Sequence, residues 1–378
     1  MKKFVLVPDS FKGTMTSIEI CNIMKQSIIS YFPMSKVVSL PVADGGEGSV
    51  DSFLSAMGGK KIHVSVSGPY GKDMESFYGV VNNGKTAVIE MASCAGLPLI
   101  DGNLHPDKTT TYGVGQLIVH AVTHGCEEII VGLGGSCTND AGTGAAAAAG
   151  IKFIDENGRT FVPVGGTLSN IRKIDFSGLC PALKGVKITA MSDINNPLYG
   201  QNGAAYIFGA QKGADEKMIE LLDNGLKNIS GVIGDTVGKD VSQIPGSGAA
   251  GGMGAGMLAF FGARLNMGID VVLDTVGFDS IAKDADMIFT GEGKLDSQSL
   301  HGKVVAGVAQ RAKRINKPVV AIVGDIGDSI EPIYDMGVSA VFSINRVAVD
   351  FEKARERSKN DLKLTMNNLM FFLSGLYK

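Results

Sequence analysis

The chain reads as an α/β protein, a doubly wound parallel sheet that carries a large inserted mixed α/β domain. Two observations predict this. Near both ends, short apolar runs alternate with helical patterns, and each run stops at a polar loop. Between those ends, strands follow one another through tight turns, so a second body interrupts the first.

Residues 4–7 are apolar throughout, as a strand covered on both faces must be, and they stop at Pro8-Asp9. Thr16 and Glu19 have capping-box spacing. Ile20, Ile23, Met24, Ile28 and Tyr31 then share one helix face. A second strand, residues 37–42, ends in Ala43-Asp44-Gly45-Gly46-Glu47-Gly48. The helix through Val50, Phe53, Leu54 and Met57 closes at Gly58-Gly59. Residues 61–91 change character and read as strands joined by turns at Gly68-Pro69 and Asn82-Asn83-Gly84. Val114, Leu117, Ile118, Ala121 and Val122 mark a helix. A strand at 129–133 runs into the glycine-rich loop 134–144 and an alanine run at 145–149.

Residues 186–191 form a further strand, which leads into Ser192-Asp193-Ile194-Asn195. Met218, Leu221, Leu222 and Ile229 mark a helix, and a Gly/Ala/Met-rich segment at 246–256 enters another through Leu258 and Phe261. After residue 284 the first rhythm returns, with strands at 287–290, 319–323 and 340–344. Helices run through Val304, Val305, Val308 and Ala312, and through Leu362, Leu369 and Leu373. Residues 1–62 plus 284–378 therefore make one discontinuous domain and residues 63–283 the inserted one, with the active site expected in the cleft between them. A sheet order of 2-1-3-4-5 would put the ligand crevice between the loops at residues 9–14 and 291–301.

Hydrophobic residues make up 44% of the chain and charged residues 19%, a globular balance. The net charge of −3, with no basic block, argues against a dedicated nucleic-acid or anionic-membrane surface. Cys21, Cys94, Cys126, Cys137 and Cys180 are scattered without a C-x-x-C pair, which suits a reducing, cytoplasmic setting.

Two motifs mislead. Residues 79–86 (GVVNNGKT) spell a P-loop, but strands flank them and Asn-Asn-Gly makes a hairpin. Residues 246–251 (GSGAAG) match G-x-G-x-x-G, but the segment before them is too polar for the required strand. His120 and His124, one helical turn apart, lack the glutamate of a zinc-protease site. The loop after residue 133 does have the right order of strand, small residues and helix. Gly134, Gly135, Ser136, Thr138 and Asn139 are therefore candidates for phosphate contact, and Asp140 reads as a helix cap ahead of a metal ligand.

What remains is a set of loops mixing carboxylates, lysines and glycines: Asp9, Ser10 and Lys12; Asp44 and Glu47; Asp193 and Asn195; Glu292, Lys294, Asp296 and His301. Phosphoryl transfer asks for these groups. Carboxylates hold Mg²⁺, lysines offset phosphate charge, and one further carboxylate takes the hydroxyl proton.

The motifs PDSFKGTMTS (residues 8–17), VADGGEGS (42–49), GLGGSCTNDAGTGAAAAAG (132–150), MSDINNPLYGQNGAA (191–205) and GEGKLDSQSLHGK (291–303) resemble those of the bacterial class I glycerate kinases, in matching order over nearly the whole chain. That resemblance implies a flavodoxin-like domain with an inserted restriction-enzyme-like domain. It also implies ATP- and Mg²⁺-dependent phosphorylation of D-glycerate, most often to 2-phosphoglycerate. On that basis Asp193 and Asp296 are expected as proton acceptors, with Lys12 and Lys294 at the phosphates. Asp44 and Glu47 are expected at Mg²⁺. Asp9, Ser10, Asn195, Glu292 and His301 are expected at substrate or nucleotide, and Arg264 at the substrate carboxylate. Glycerate and ATP are the expected partners, and a homodimer is compatible. The rival readings are a 3-phosphoglycerate-forming kinase, a nucleotide-dependent oxidoreductase on a small hydroxy acid and a non-enzymatic sugar-acid binder.

Overall fold

The computed structural model describes residues 1–43, 45–100, 102–297, 299–300 and 303–376. The chain divides into two compact units. Met1–Asp44, Asp51–Gly58 and Met267–Lys378 form the first; Gly45–Val50 and Gly59–Asn266 form the second.

A five-stranded sheet organises the first unit. Its strands are β1 (Lys3–Pro8), β2 (Lys36–Ser39), β12 (Met287–Gly291), β14 (Val319–Val323) and β16 (Val338–Ser343), all parallel. The order β2-β1-β12-β14-β16 matches the hypothesised 2-1-3-4-5 order. Phe4, Leu6, Phe289 and Ile322 bury one face of it against α1 (Ser17–Tyr31) and α13 (Phe351–Leu376), through Ile20, Met24, Leu362, Met366 and Met370. The alternate residues, Val5, Val7, Ile288 and Ala321, belong to the opposite face. There α11 (Val304–Arg314) packs, beside α9 (Gly268–Thr275), α10 (Phe278–Ala282) and α12 (Pro332–Met336). The expected capping box starts α1: Thr16 Oγ1 accepts the Glu19 N–H, and the Glu19 carboxylate accepts the Thr16 N–H. Helix α2 (Ser49–Met57) joins this unit from Asp51 onward, where Ser52 Oγ lies 3.3 Å from Ser17 Oγ. A two-stranded parallel ribbon, β13 (Lys294–Leu295) with β15 (Asp325–Ile326), extends the carboxyl ends of β12 and β14.

The second unit contains a six-stranded sheet of β3 (Lys60–Ser67), β4 (Asp73–Val81), β5 (Thr86–Glu90), β6 (Glu128–Gly132), β10 (Lys187–Met191) and β11 (Arg264–Asn266), in the order β11-β10-β6-β5-β4-β3. β5, β6, β10 and β11 run parallel, while β3 and β4 continue the sheet antiparallel. Val114, Leu117 and Ile118 of α4 (Tyr112–Thr123) bury against Ile89, Ile129 and Val131, next to α3 (Ala92–Ala95). A second core gathers Phe153, Leu168, Leu222, Leu226, Ile229 and Phe260. It joins the small antiparallel sheet of β7 (Lys152–Ile154), β8 (Thr160–Phe161) and β9 (Lys173–Asp175) to α5 (Thr143–Ala148), α6 (Ala204–Phe208), α7 (Glu216–Val237) and α8 (Ala249–Phe260). Among the described residues no helix is long and apolar enough to cross a membrane.

Candidate functional site

In the first unit, β1 and β12 lie side by side where the strand order reverses, so their loops leave the sheet together. The Asp9 N–H donates to the Gly291 carbonyl at 2.8 Å, which ties the start of one loop to the end of the other strand. Gly293 lies under the first loop: a Cβ there would come within 3.5 Å of the Lys12 backbone nitrogen. The far side of the second loop is held by β14, with Gly324 donating to Glu292 O at 3.1 Å and Asp325 donating to Gly293 O at 3.0 Å. Asp9, Lys12, Glu292, Lys294 and Asp296, chosen from distant parts of the sequence, thus share one crevice. Ser10 follows at the rim, its N–H donating to Asp9 Oδ1 at 2.7 Å.

The carboxylates of this crevice differ in their surroundings. Asp296 is partly open, its side chain 28% exposed and 4.0 Å from Lys294 Nζ. Glu292 is enclosed, and among the described residues its Oε1 has no hydrogen-bond partner. Burial pushes the Glu292 carboxyl up to about 7. The Ser299 hydroxyl and Lys303 pull it down, while Asp9 and Asp296 push it further up. Two bonds tie the segment beyond it: Ser299 donates its N–H to Asp296 O at 2.9 Å, and the Asp296 N–H donates to Ser299 Oγ at 3.2 Å.

The second unit presents its own row of loops at the carboxyl ends of β6 and β10. Leu133 donates to Met191 O at 3.1 Å, so the glycine-rich loop and the segment carrying Asp193 and Asn195 start from adjacent strand ends. Residues 45–48 lie over the same edge, where the Gly134 N–H donates to Gly45 O at 3.0 Å. This approach explains two glycines. A Cβ on Gly132 would sit 2.2 Å from Gly45 O, and one on Gly134 would sit 2.6 Å from Gly46 Cα. Glu47 stays exposed in that segment, and so does Asn195.

Inside the glycine-rich loop, Asp140 accepts the Thr111 N–H and hydroxyl, both at 2.8 Å, and the N–H groups of Gly142 and Gly144. Its carboxylate is therefore a buried brace, and α5 runs only over Thr143–Ala148. Lys212 is a second brace that the sequence did not reveal. Its ammonium donates to Ser136 Oγ at 2.9 Å and to Thr138 O at 2.6 Å while almost wholly buried. A lone lysine in AQKGA carries no periodic or motif signal, so only the packing exposes its role. Ser136, Thr138 and Asn139 are buried, Gly134 is half-buried and Gly135 is exposed. Thr138 Oγ1 and both Asn139 side-chain polar atoms find no partner among the described residues.

Arg264 is exposed and opens the short edge strand β11; it is not on a surface helix. Asp44 and His301 lie outside the described residues. The false P-loop is a hairpin of β4 and β5 whose Lys85 pairs with Glu127, and Asn82 and Asn83 adopt positive φ in its turn. Residues 240–245 contain no strand, and a Cβ on Gly251 would lie 2.0 Å from Thr138 O, so that glycine run serves close packing. His120 and His124 stack on each other, with His120 Nδ1 3.0 Å from the Tyr78 hydroxyl. Among the described residues no group of three or more His, Cys, Asp or Glu side chains is spaced to hold a metal.

Comparison with known proteins extends these observations. The family model described as the glycerate kinase family matches residues 4–374. The chain is 43% identical over 368 residues to a glycerate kinase of Bacillus cereus, covering 97% of each sequence. It is 44% identical over 343 residues to the glycerate 2-kinase of Escherichia coli, covering 90% of each. A crystal structure from Salmonella typhimurium that carries the name glycerate kinase 2 matches with a TM-score of 0.89 at 39% identity, over 99% of this chain and 98% of that one. The switch-point crevice and the glycine-rich loop therefore belong to an established enzyme scaffold: the chain is a member of the glycerate kinase family.

Proposed function

We propose that the chain transfers the γ-phosphoryl group of ATP to a hydroxyl of D-glycerate, giving 2-phosphoglycerate and ADP. The observation that carries this reading is the meeting of Asp9, Glu292 and Asp296 with Lys12, Lys294 and Lys303 around one crevice of the first sheet, in a chain of this family. Phosphoryl transfer needs little covalent chemistry from the protein. It needs positioned charge.

In this scheme Lys12 and Lys294, both exposed, reach the phosphate oxygens and offset charge as the γ-phosphoryl group moves. Asp9, Ser10 and Glu292 line the approach of substrate and nucleotide, and His301 is proposed from the sequence as a further contact. Gly134, Gly135 and Ser136 offer small residues to an oxyanion, and Thr138 and Asn139 shape the loop behind them. Asp296 in the first unit and Asp193 and Asn195 in the second are each a candidate polar contact for the substrate, and Arg264 has the planar fork that suits a carboxylate.

Mg²⁺ on a triphosphate keeps several waters and takes one or two protein carboxylates, so a three-carboxylate nest is not required. The exposed Glu47 carboxylate fits that demand, and with Asp44 it would hold the ion. Bound there, Mg²⁺ would supply charge neutralisation at the phosphates.

The direct test incubates the protein with ATP, Mg²⁺ and D-glycerate and couples the product to enolase. Signal without a mutase identifies 2-phosphoglycerate. Signal only after mutase is added means the 3-isomer, and no signal in either case removes the kinase reading. Thermal shifts with Mg·ATP, NAD and glycerate separately distinguish the oxidoreductase and simple-binder alternatives.

A further inference from the structure

We propose that Glu292 is the catalytic base, the carboxylate that accepts the proton of glycerate's attacking hydroxyl at its Oε1 atom. This rests on the kinase reading above and deepens it, since the sequence pointed to Asp193 and Asp296 for that task.

Four features of the first unit converge on Glu292. It is the first residue beyond β12, at the switch point between β1 and β12, where open parallel sheets bind ligands. Its backbone is fixed by the bond from Gly324 to its carbonyl oxygen, so the side chain starts from a rigid origin. Glu292 is only 6% exposed, yet its Oε1 is unpartnered among the described residues, a buried oxygen able to accept from a group bound in the crevice. Its charged neighbours are balanced. Asp9 from the β1 loop and Asp296 from its own loop oppose Lys303 at the start of α11 and the Ser299 hydroxyl. Lys12, Lys294 and Asp325 stand further out on the three surrounding loops, all exposed.

That setting separates Glu292 from Asp296. Asp296 is partly solvated, its carboxylate 4.0 Å from the Lys294 ammonium. A general base works best when its proton affinity matches the working pH, and burial brings Glu292 to about 7. The step balances. The hydroxyl proton passes to Oε1 as the hydroxyl oxygen forms its bond to the γ-phosphorus. The bond from that phosphorus to the β,γ-bridging oxygen breaks, and its electron pair leaves on ADP. The carboxyl then releases its proton to solvent and the cycle closes.

The test compares pH profiles of kcat for wild type, Glu292→Gln and Glu292→Asp in the enolase-coupled assay, with Mg·ATP binding measured by titration calorimetry. Wild type should show a rising limb centred near pH 7. Glu292→Gln should lose about 10²–10⁴-fold in kcat and lose the limb, while Mg·ATP affinity stays within about threefold. Glu292→Asp should recover part of kcat, with the limb displaced. If Glu292→Gln fails to give a folded protein by circular dichroism, the aspartate variant decides: wild-type kcat with an undisplaced limb overturns the assignment. A glutamine variant that turns over like wild type with the limb intact overturns it too. In both cases the kinase reading survives, because wild type is still active. Wild type that forms no phosphoglycerate at all removes both.

Discussion

The ammonium of Lys212 lies 2.6 Å from the carbonyl oxygen of Thr138, two buried groups that hold the glycine-rich loop of the second unit in place. Burial lowers this lysine from 10.5 to about 8, with Cys137 and Asp140 opposing the fall. The unfolded chain therefore holds the proton more tightly than the folded one. The cost of that difference is complete below pH 8 and fades as pH rises toward 10.5. Lys212→Met removes this pH dependence. Urea unfolding at pH 7 and pH 10 should show the stability difference moving in favour of wild type by about 2–3 kcal/mol at the higher pH. A difference that does not change with pH counts against a buried ammonium here.

Asp140 also braces this loop, through the Thr111, Gly142 and Gly144 amides. Truncation leaves those donors buried without an acceptor. Asp140→Ala should lower unfolding free energy by about 3–5 kcal/mol, with Asp140→Asn losing less because an amide oxygen still accepts. Equilibrium denaturation measures both. A cost below about 1 kcal/mol would make the carboxylate something other than a structural brace.

Glycines offer a paired prediction. Gly132→Ala drives a methyl group toward Gly45 O, at 2.2 Å, and should cost about 1–3 kcal/mol. Gly231 sits within α7, where an added Cβ meets nothing within 4 Å, so Gly231→Ala should stabilise by about 0.5–1 kcal/mol. Melting curves of the two variants should therefore shift in opposite directions.

Glu292 makes the first unit's stability depend on pH even without ligand. Its folded value of about 7 lies above its ordinary 4.5, so its contribution is fully present below pH 4.5 and lost as pH rises through 7. Glu292→Gln removes the buried charge. The variant should match wild type near pH 4 and exceed it at pH 8, by up to about 3 kcal/mol before relaxation. Denaturant midpoints at the two pH values check this, and equal midpoints at pH 8 contradict the burial of an ionised carboxylate.

Much of the architecture could be read without coordinates because it is written in short-range patterns. All-apolar runs such as residues 4–7 and 319–323 suit strands covered on both sides, and these became β1 and β14. The Thr16/Glu19 spacing is local, and the capping box formed. The hairpin disguised as a P-loop was legible because Asn-Asn-Gly accepts the positive φ its turn requires. Arg264 was not: nothing in its neighbours separates an edge strand from a helix end.

From its own letters, then, the chain determined its alternation of strands and helices and its resemblance to glycerate kinases, while the 2-1-3-4-5 order of its first sheet was a hypothesis that the strand pairing bears out. Only the tertiary structure decided that Glu292 is enclosed while Asp296 stays open, that Asp140 is a brace and that Lys212 is an internal strut. The reason is physical. Periodicity and capping are set by residues within a few positions of one another, whereas desolvation and the proton affinities that follow from it depend on groups brought together from distant parts of the chain.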